Sequence, residues 1–167
     1  MTGVVVWFTG LPSSGKSRFA KRVRERLLER GQACALLDGD RVRELLQPQP
    51  GYSAREREDF YATLGNLAAE LAHQGLVALV PATASKRAFR DQARQRAARF
   101  LEVWLTTGAE ECRSRDAKGL YAGFARGEVQ GLPGQDEPYE PPLSPDVSAF
   151  GARDDEALEL LLSRLTR

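Results

Sequence analysis

The stretch Val4-Val5-Val6-Trp7-Phe8-Thr9-Gly10-Leu11-Pro12-Ser13-Ser14-Gly15-Lys16-Ser17 decides the architecture. Its first five residues are β-branched or aromatic with no polar break. That is the pattern of a strand buried on both faces, as in a parallel sheet. Gly10 to Ser17 fits G-x-x-x-x-G-K-[ST]. Glycines in such a loop let the backbone turn until several N–H groups converge on one anion. The start of the following helix adds partial positive charge. That helix is expected over 17–30, because Phe19, Ala20, Val23, Leu27 and Leu28 recur at helical spacing and Gly31 can close it. A strand, a glycine loop and a helix in this order are the context that a phosphate cradle requires.

Outward from this unit the chain alternates between strands and helices. Strands are expected at 33–37, 76–80 and 100–105, with a short fifth at 147–150. Helices are expected at 40–46, from a Ser53 cap to about His73, and at 86–99, 109–115, 118–126 and 154–165. Such alternation implies βαβ units. The fold class is therefore α/β, a three-layer sandwich around a mostly parallel central sheet, in one domain over 1–167. The helix at 86–99 is strongly basic, and its Arg87, Arg90, Arg94, Arg96 and Arg99 read as a solvated face. The proline- and glycine-rich stretch 127–145 is too long for a plain connector. With Lys118 at its entry, 118–142 reads as a lid-like segment.

Composition narrows the class. The chain has 167 residues, 42% of them apolar and 28% charged, as in ordinary globular proteins. Its apolar runs fall far short of the ~20 residues of a membrane span. A net charge of +1 favours neither nucleic acid nor an anionic membrane as partner. Cys34 and Cys112 read as buried free thiols of a reducing, cytoplasmic compartment. Twenty of the 24 basic residues are arginine. Lysine is rare, and its placement at Lys16 and Lys118 carries information.

The loop assigns a nucleoside triphosphate to Gly10, Ser13, Ser14, Gly15, Lys16, Ser17 and Arg18. Lys16 would reach the β/γ-phosphates and Ser17 would ligate Mg²⁺. Asp38-Gly39-Asp40 follows the second strand, where open α/β sheets bind ligands. One carboxylate suits a Mg²⁺-bound water. The other suits a proton leaving an attacking hydroxyl, and Asp40 as a helix N-cap is the plainer alternative. Arg43 and Arg57 follow within reach of the same cleft, although for any one arginine in this chain a solvated position is the simpler reading. A GTPase would carry N-K-x-D, which is absent. Asp116-Ala117-Lys118-Gly119 matches D-x-x-G away from a strand end and reads as coincidence. A larger ATPase would carry an apolar strand ending in Asp-Glu, also absent. A small-molecule kinase fits best.

In combination these pieces resemble adenylylsulfate (APS) kinases, P-loop kinases of the nucleoside-monophosphate-kinase type. The matching residues are Gly10 to Ser17, Leu37-Asp38-Gly39-Asp40 with Arg43, Gly51-Tyr52-Ser53 with Arg57, and Gly75-Leu76-Val77. Arg115-Asp116-x-Lys118-Gly119-Leu120-Tyr121, Pro133-Gly134-x-Asp136 and Tyr139-Glu140-x-Pro142 complete the set. The resemblance implies ATP-dependent phosphorylation of the APS 3′-hydroxyl to give PAPS, with ATP and Mg²⁺ as cofactors. It implies Lys16, Asp38 and Asp40 as catalytic residues, with Ser17 and Asp38 serving the metal. Arg43, Arg57 and Lys118 would grip APS, Tyr52 would stack on its adenine, and Arg115 would close on the ATP phosphates. Three places depart from the family pattern. Phe60 stands for an Asn, and Ala82-Thr83-Ala84-Ser85 stands for Phe-Ile-Ser-Pro, which is expected to open space. Leu132 stands for a second stacking Phe. Another small anionic nucleotide-like acceptor, or a non-catalytic nucleotide-binding module, therefore remains open. The expected partners are small nucleotides, with a homodimer left open.

Overall fold

The computed structural model describes residues 3–166. Five parallel strands form one sheet in the order β2-β3-β1-β4-β5. They are β1 (Val4–Thr9), β2 (Cys34–Leu36), β3 (Val77–Pro81), β4 (Phe100–Leu105) and β5 (Val147–Ala149). β1 is central because it is apolar on both faces, and its register pairs Val6 with Leu79 on one side and Leu101 on the other. The helices are α1 (Lys16–Glu29), α2 (Gly39–Leu45), α3 (Ala54–His73), α4 (Arg87–Arg96), α5 (Ala109–Arg115), α6 (Leu120–Ala125) and α7 (Asp155–Leu165).

The period of two along β1 sorts the layers. Val4, Val6 and Phe8 pack with Phe19, Val23 and Leu27 of α1 and with Leu158, Leu161 and Leu162 of α7. Val5 and Trp7 pack on the opposite face with Phe60, Leu64 and Ala68 of α3 and with Phe89 and Ala93 of α4. α3 begins as its sequence directs: the Ser53 Oγ accepts from Glu56 N–H, and the Glu56 carboxylate accepts from Ser53 N–H at 3.1 Å. Element limits differ from the expected ones mainly at the ends. The helix expected at 86–99 stops at Arg96, and the one expected at 118–126 starts at Leu120, after Gly119 in a left-handed conformation.

The arginine-rich α4 is not a solvated face. Arg90 is only 1% exposed. Its Nε donates to Glu102 Oε1 at 2.8 Å, Nη1 to the Ala84 carbonyl and Nη2 to the Glu140 carbonyl at 2.6 Å. Arg94 donates to the other Glu102 oxygen at 3.0 Å, and Arg87 to Pro141 O at 3.1 Å. Of the five arginines, only Arg96 is fully on the surface, and Arg99 reaches Arg164 O. The telling signal is Glu102, a carboxylate inside an apolar strand, which must find a cation when buried. Cys112 is buried as expected, whereas Cys34 is only partly covered.

The stretch after α6 is irregular but tied down. Asp136 accepts from Gly131 N–H and Leu132 N–H at 2.8 and 2.7 Å. Thr9 Oγ1 gives its proton to Thr83 O at 2.6 Å, so the Tyr139 hydroxyl, 2.9 Å away, must donate to Thr9. Arg90 therefore joins a buried carboxylate, the end of β3 and the root of this segment. Removing a partner from a buried ion pair costs about 3–5 kcal/mol. Arg90→Ala is expected to lose at least about 3 kcal/mol on this basis in equilibrium urea unfolding, and an unchanged midpoint would refute its bracing role.

Candidate active site

The carboxyl ends of the strands open into one cleft of about 1020 Å³. Its floor is the β1–α1 loop. Gly10 leaves no room for a side chain: a Cβ there would meet Ser14 Oγ at 2.7 Å and Leu105 O at 2.8 Å. Gly15 sits at φ +97°, a conformation that L side chains rarely adopt, with Ala152 pressed against it. Lys16 Nζ folds back to donate to Gly10 O and Leu11 O at 3.0 and 2.8 Å. Burial, with Lys118 adding repulsion, pushes its pKa from the ordinary lysine value down to about 7.

Ser13, Gly15, Lys16, Ser17 and Arg18 line the cleft. Gly10 and Ser14 do not: they lie underneath and shape the loop. Ser14 is fully buried, its carbonyl accepts from Thr107 Oγ1 at 2.8 Å, and its Oγ has no partner among the described residues. Ser17 Oγ donates to Asp38 Oδ2 at 2.6 Å. A hydroxyl beside a carboxylate is an all-oxygen donor pair. It fits Mg²⁺, which takes few protein ligands and completes its shell with waters and substrate phosphates.

Asp38, not Asp40, caps α2: its Oδ1 accepts from Asp40 N–H at 3.1 Å. That frees the Asp40 carboxylate, which is more than half exposed and pairs across the cleft with Lys118 Nζ. Burial lowers the Lys118 pKa, and Asp38 opposes that shift. Asp116 has a local role as well, accepting from Tyr121 and Ala122 N–H at the start of α6, which accounts for the D-x-x-G match.

Arg43 is not solvated. It is 6% exposed, and its Nη1 donates to Gly51 O at 2.8 Å. Its guanidinium lies between two rings, 4.4 Å from Tyr52 and 4.0 Å from Phe60. Cation–π contacts on both faces hold the fork in a fixed plane. Arg57 also lines the cleft, but its Nη2 donates to Gly131 O at 2.5 Å, tying α3 to the lid-like segment. Arg115 lines the opposite wall, paired with Glu111. Leu132 is buried with Tyr121 and Cys112 under that segment. The Tyr121 hydroxyl donates to Pro12 O at 2.9 Å, and burial pushes its pKa up to about 12.

Of the residues expected to open space, Ala82 and Thr83 line the cleft. Ala84 is buried in the α3–α4 core, and Ala82 also packs there, 3.1 Å from where a Cβ on Gly39 would stand. Phe60 is 3% exposed and belongs to the same core while forming the platform under Arg43. Residues not singled out from the sequence also line the cleft: Tyr61 of α3, and Phe150-Gly151-Ala152-Arg153 after β5. For 150–153 the position at a strand end is the available signal, whereas Tyr61, inside α3, offers none.

The sequence profile of the adenylylsulphate kinase family matches residues 2–149. The adenylyl-sulfate kinase of Picosynechococcus sp. is 36% identical over 166 residues, covering 98% of this chain and 94% of that protein. A probable adenylyl-sulfate kinase of Pyrococcus abyssi is 36% identical over 166 residues, with 98% and 95% covered. The APS kinase of Mycobacterium tuberculosis, solved in complex with AMPPNP and APS, superposes with a TM-score of 0.91 at 37% identity over 99% of each chain. A family match over most of the length, an unbroken phosphate loop and a fold shared from end to end lead to one conclusion: this chain belongs to the adenylylsulphate kinase family, with the α/β architecture of P-loop kinases.

Proposed function

We propose that the protein transfers the γ-phosphate of ATP to the 3′-hydroxyl of adenylylsulfate, giving PAPS. The observation that carries this reading is the convergence on one cleft of an intact phosphate loop, the Asp40 carboxylate paired with Lys118, and the cation Arg43, in a chain of this family. The likeness to a relative solved with AMPPNP and APS supports both substrates.

Phosphoryl transfer asks the protein for positioning and charge stabilisation. The backbone N–H groups of the loop and the first turn of α1 cradle the β- and γ-phosphates. Lys16 turns from the carbonyls of Gly10 and Leu11 to the phosphates and follows the charge as it moves. Ser17 and Asp38 would hold Mg²⁺, which neutralises phosphate charge when bound. Asp40 accepts the proton of the acceptor hydroxyl, once the acceptor's anionic linkage draws Lys118 away from it. Arg43, held flat between Tyr52 and Phe60, presents its remaining N–H donors to that linkage. Tyr52 offers its exposed ring as a stacking face. Arg57 holds Gly131 and Leu132 over the cleft, and Arg115 closes on the phosphates from α5. Leu132, buried against Tyr121 at the cleft wall, would stand in for a second apolar face beside the acceptor's base. Closure of 118–142 excludes water and limits ATP hydrolysis. The free thiols of Cys34 and Cys112 support a reducing, cytoplasmic setting for this enzyme. A homodimer is compatible with this scheme, since every group it uses lies in one chain.

Asp40→Asn keeps the side chain's shape and leaves the Asp38 cap intact. It is expected to lower kcat by roughly 10²–10⁴-fold while ATP affinity stays near wild type. Steady-state kinetics with APS checks this, and normal turnover would remove Asp40 as the base.

Lys16 with a pKa of about 7 is mostly neutral at pH 8 in the ligand-free protein. Phosphate anions favour its charged form and raise that pKa, so nucleotide binding at pH 8 takes up a proton. Calorimetry of ADP binding in buffers of different ionisation enthalpy should show uptake approaching one proton. Heats that do not depend on the buffer would contradict it.

Limited proteolysis reads the lid. Cleavage within 118–142 is expected to fall sharply when ADP and APS are both present. Equal nicking with and without ligands would mark the segment as a fixed wall.

A further inference from the structure

The acceptor half of the cleft contains a polar group that the mechanism above does not use. Tyr61 lies on α3 and lines the cleft beside Ala82 and Thr83. Its ring is fixed on two sides, stacked on Phe89 at 4.8 Å and edge-on to Phe60 at 5.3 Å. The hydroxyl oxygen accepts the Ala84 N–H at 3.2 Å. That leaves the phenolic hydrogen itself to be placed, because a tyrosine hydroxyl both accepts and donates. Among the described residues nothing accepts it. Burial raises the Tyr61 pKa, so the group keeps its proton and remains a donor.

Its backbone partner is unusual. Ala84 is fully buried and stands at φ +43°, in the left-handed region that a residue with a Cβ seldom occupies. The Tyr61 hydroxyl holds its N–H, and Arg90 Nη1 holds its carbonyl. A strained residue persists only where its surroundings over-determine it, and such residues gather at ligand clamps. Two side chains from two helices are spent on fixing this turn, at the cleft edge where Thr83 and Ala82 face the ligand space.

We propose that Tyr61 is a specificity-determining residue whose hydroxyl donates a hydrogen bond to the nucleoside portion of the acceptor, with the Ala84 N–H fixing that hydroxyl in place. This rests on the adenylylsulfate reading. The nucleoside portion is chosen because the charged groups Arg43, Lys118 and Asp40 already meet the anionic linkage and the reacting hydroxyl. Tyr61 instead stands at the end of β3, with the small side chains of Ala82 and Thr83. A neutral donor there discriminates through the acceptor atoms of a base or ribose, because a ligand without such an atom leaves the phenol unpaired.

Tyr61→Phe preserves both ring contacts and removes only the hydroxyl. It is expected to raise KM for APS roughly 3- to 10-fold, the worth of one neutral hydrogen bond, with kcat and the KM for ATP within about twofold. The second measurement uses the otherwise unaltered chain with 3-fluorotyrosine at position 61 alone. Its fluorine resonance should shift when APS is added to the ADP complex and stay put with ADP alone. An unchanged KM overturns the proposal. A raised KM with an unmoved resonance also overturns it, because Tyr61 would then only brace Ala84. Wild-type protein that turns over no APS would overturn the adenylylsulfate reading and the Tyr61 contact with it. Wild-type turnover with an unmoved resonance overturns the Tyr61 contact alone.

Discussion

At Gly10 and Gly15 the turn between β1 and α1 has room for backbone alone, and the rest of the molecule is built to keep it so. A Cβ at Gly10 would collide with Ser14 Oγ and Leu105 O, and one at Gly15 would press on Ala152. The loop is therefore clamped between β4 on one side and the start of α7's approach on the other. Bare backbone held this rigidly can aim several N–H groups at one point without moving when charge arrives, and such preorganisation is what makes fixed dipoles effective. The central position of β1, paired on both sides, is the structural condition for that rigidity.

The cleft above the loop is spanned by contacts of three kinds. Asp40 and Lys118 face each other as exposed charges, a pair that water and an incoming anion can exchange cheaply. Arg57 grips the Gly131 carbonyl from a mostly buried position, and the Tyr121 hydroxyl grips the Pro12 carbonyl. These contacts to backbone carbonyls carry orientation more than charge. The segment is thus rooted at Tyr139 and Glu140, strapped at Gly131 and bridged to α2 by Lys118. Only the last of these contacts is an exposed ion pair, so the most easily broken contact sits at the rim of the cleft.

The strand–loop–helix unit, the all-parallel sheet and the Ser53 capping box are legible in the sequence because each is encoded over a few adjacent residues. Asp38 and Asp40 are legible as a site because a strand end places them there, but their division of labour is not. Which carboxylate caps α2 depends on the turn at Gly39, and only Asp38 reaches the Asp40 N–H. Around 82–84, residue size suggests room, and Ala82 and Thr83 do border the cleft, but that Ala84 turns into the core between α3 and α4 depends on packing no local reading shows. Arg90 escapes a local reading because a run of arginines at helical spacing looks like a wet face. The counterweight is a single glutamate in the next strand, and nothing local connects Arg90 with Glu102, Ala84 and Glu140. Tyr61 is hidden for the same reason, its partner lying across the fold in the turn after β3.

The imbalance between arginine and lysine takes on physical meaning in this light. Arg43, Arg57 and Arg90 each hold a backbone carbonyl, at Gly51, Gly131 and Ala84. A guanidinium is suited to this because it keeps its charge when buried, and its planar fork fixes the angle between the elements it joins. The two lysines at the cleft, Lys16 and Lys118, are compact charges on flexible stems, and burial lowers the pKa of both. A cation with a lowered pKa costs less to keep without its anion and gains most when the anion arrives. The chain therefore builds its frame with groups that stay charged and places at the cleft floor and rim groups whose charge a phosphate can call up. The same division explains why Arg43 needs two aromatic rings. A permanent cation in an almost closed site must be stabilised while no ligand is bound, and the faces of Tyr52 and Phe60 do this without using its N–H donors.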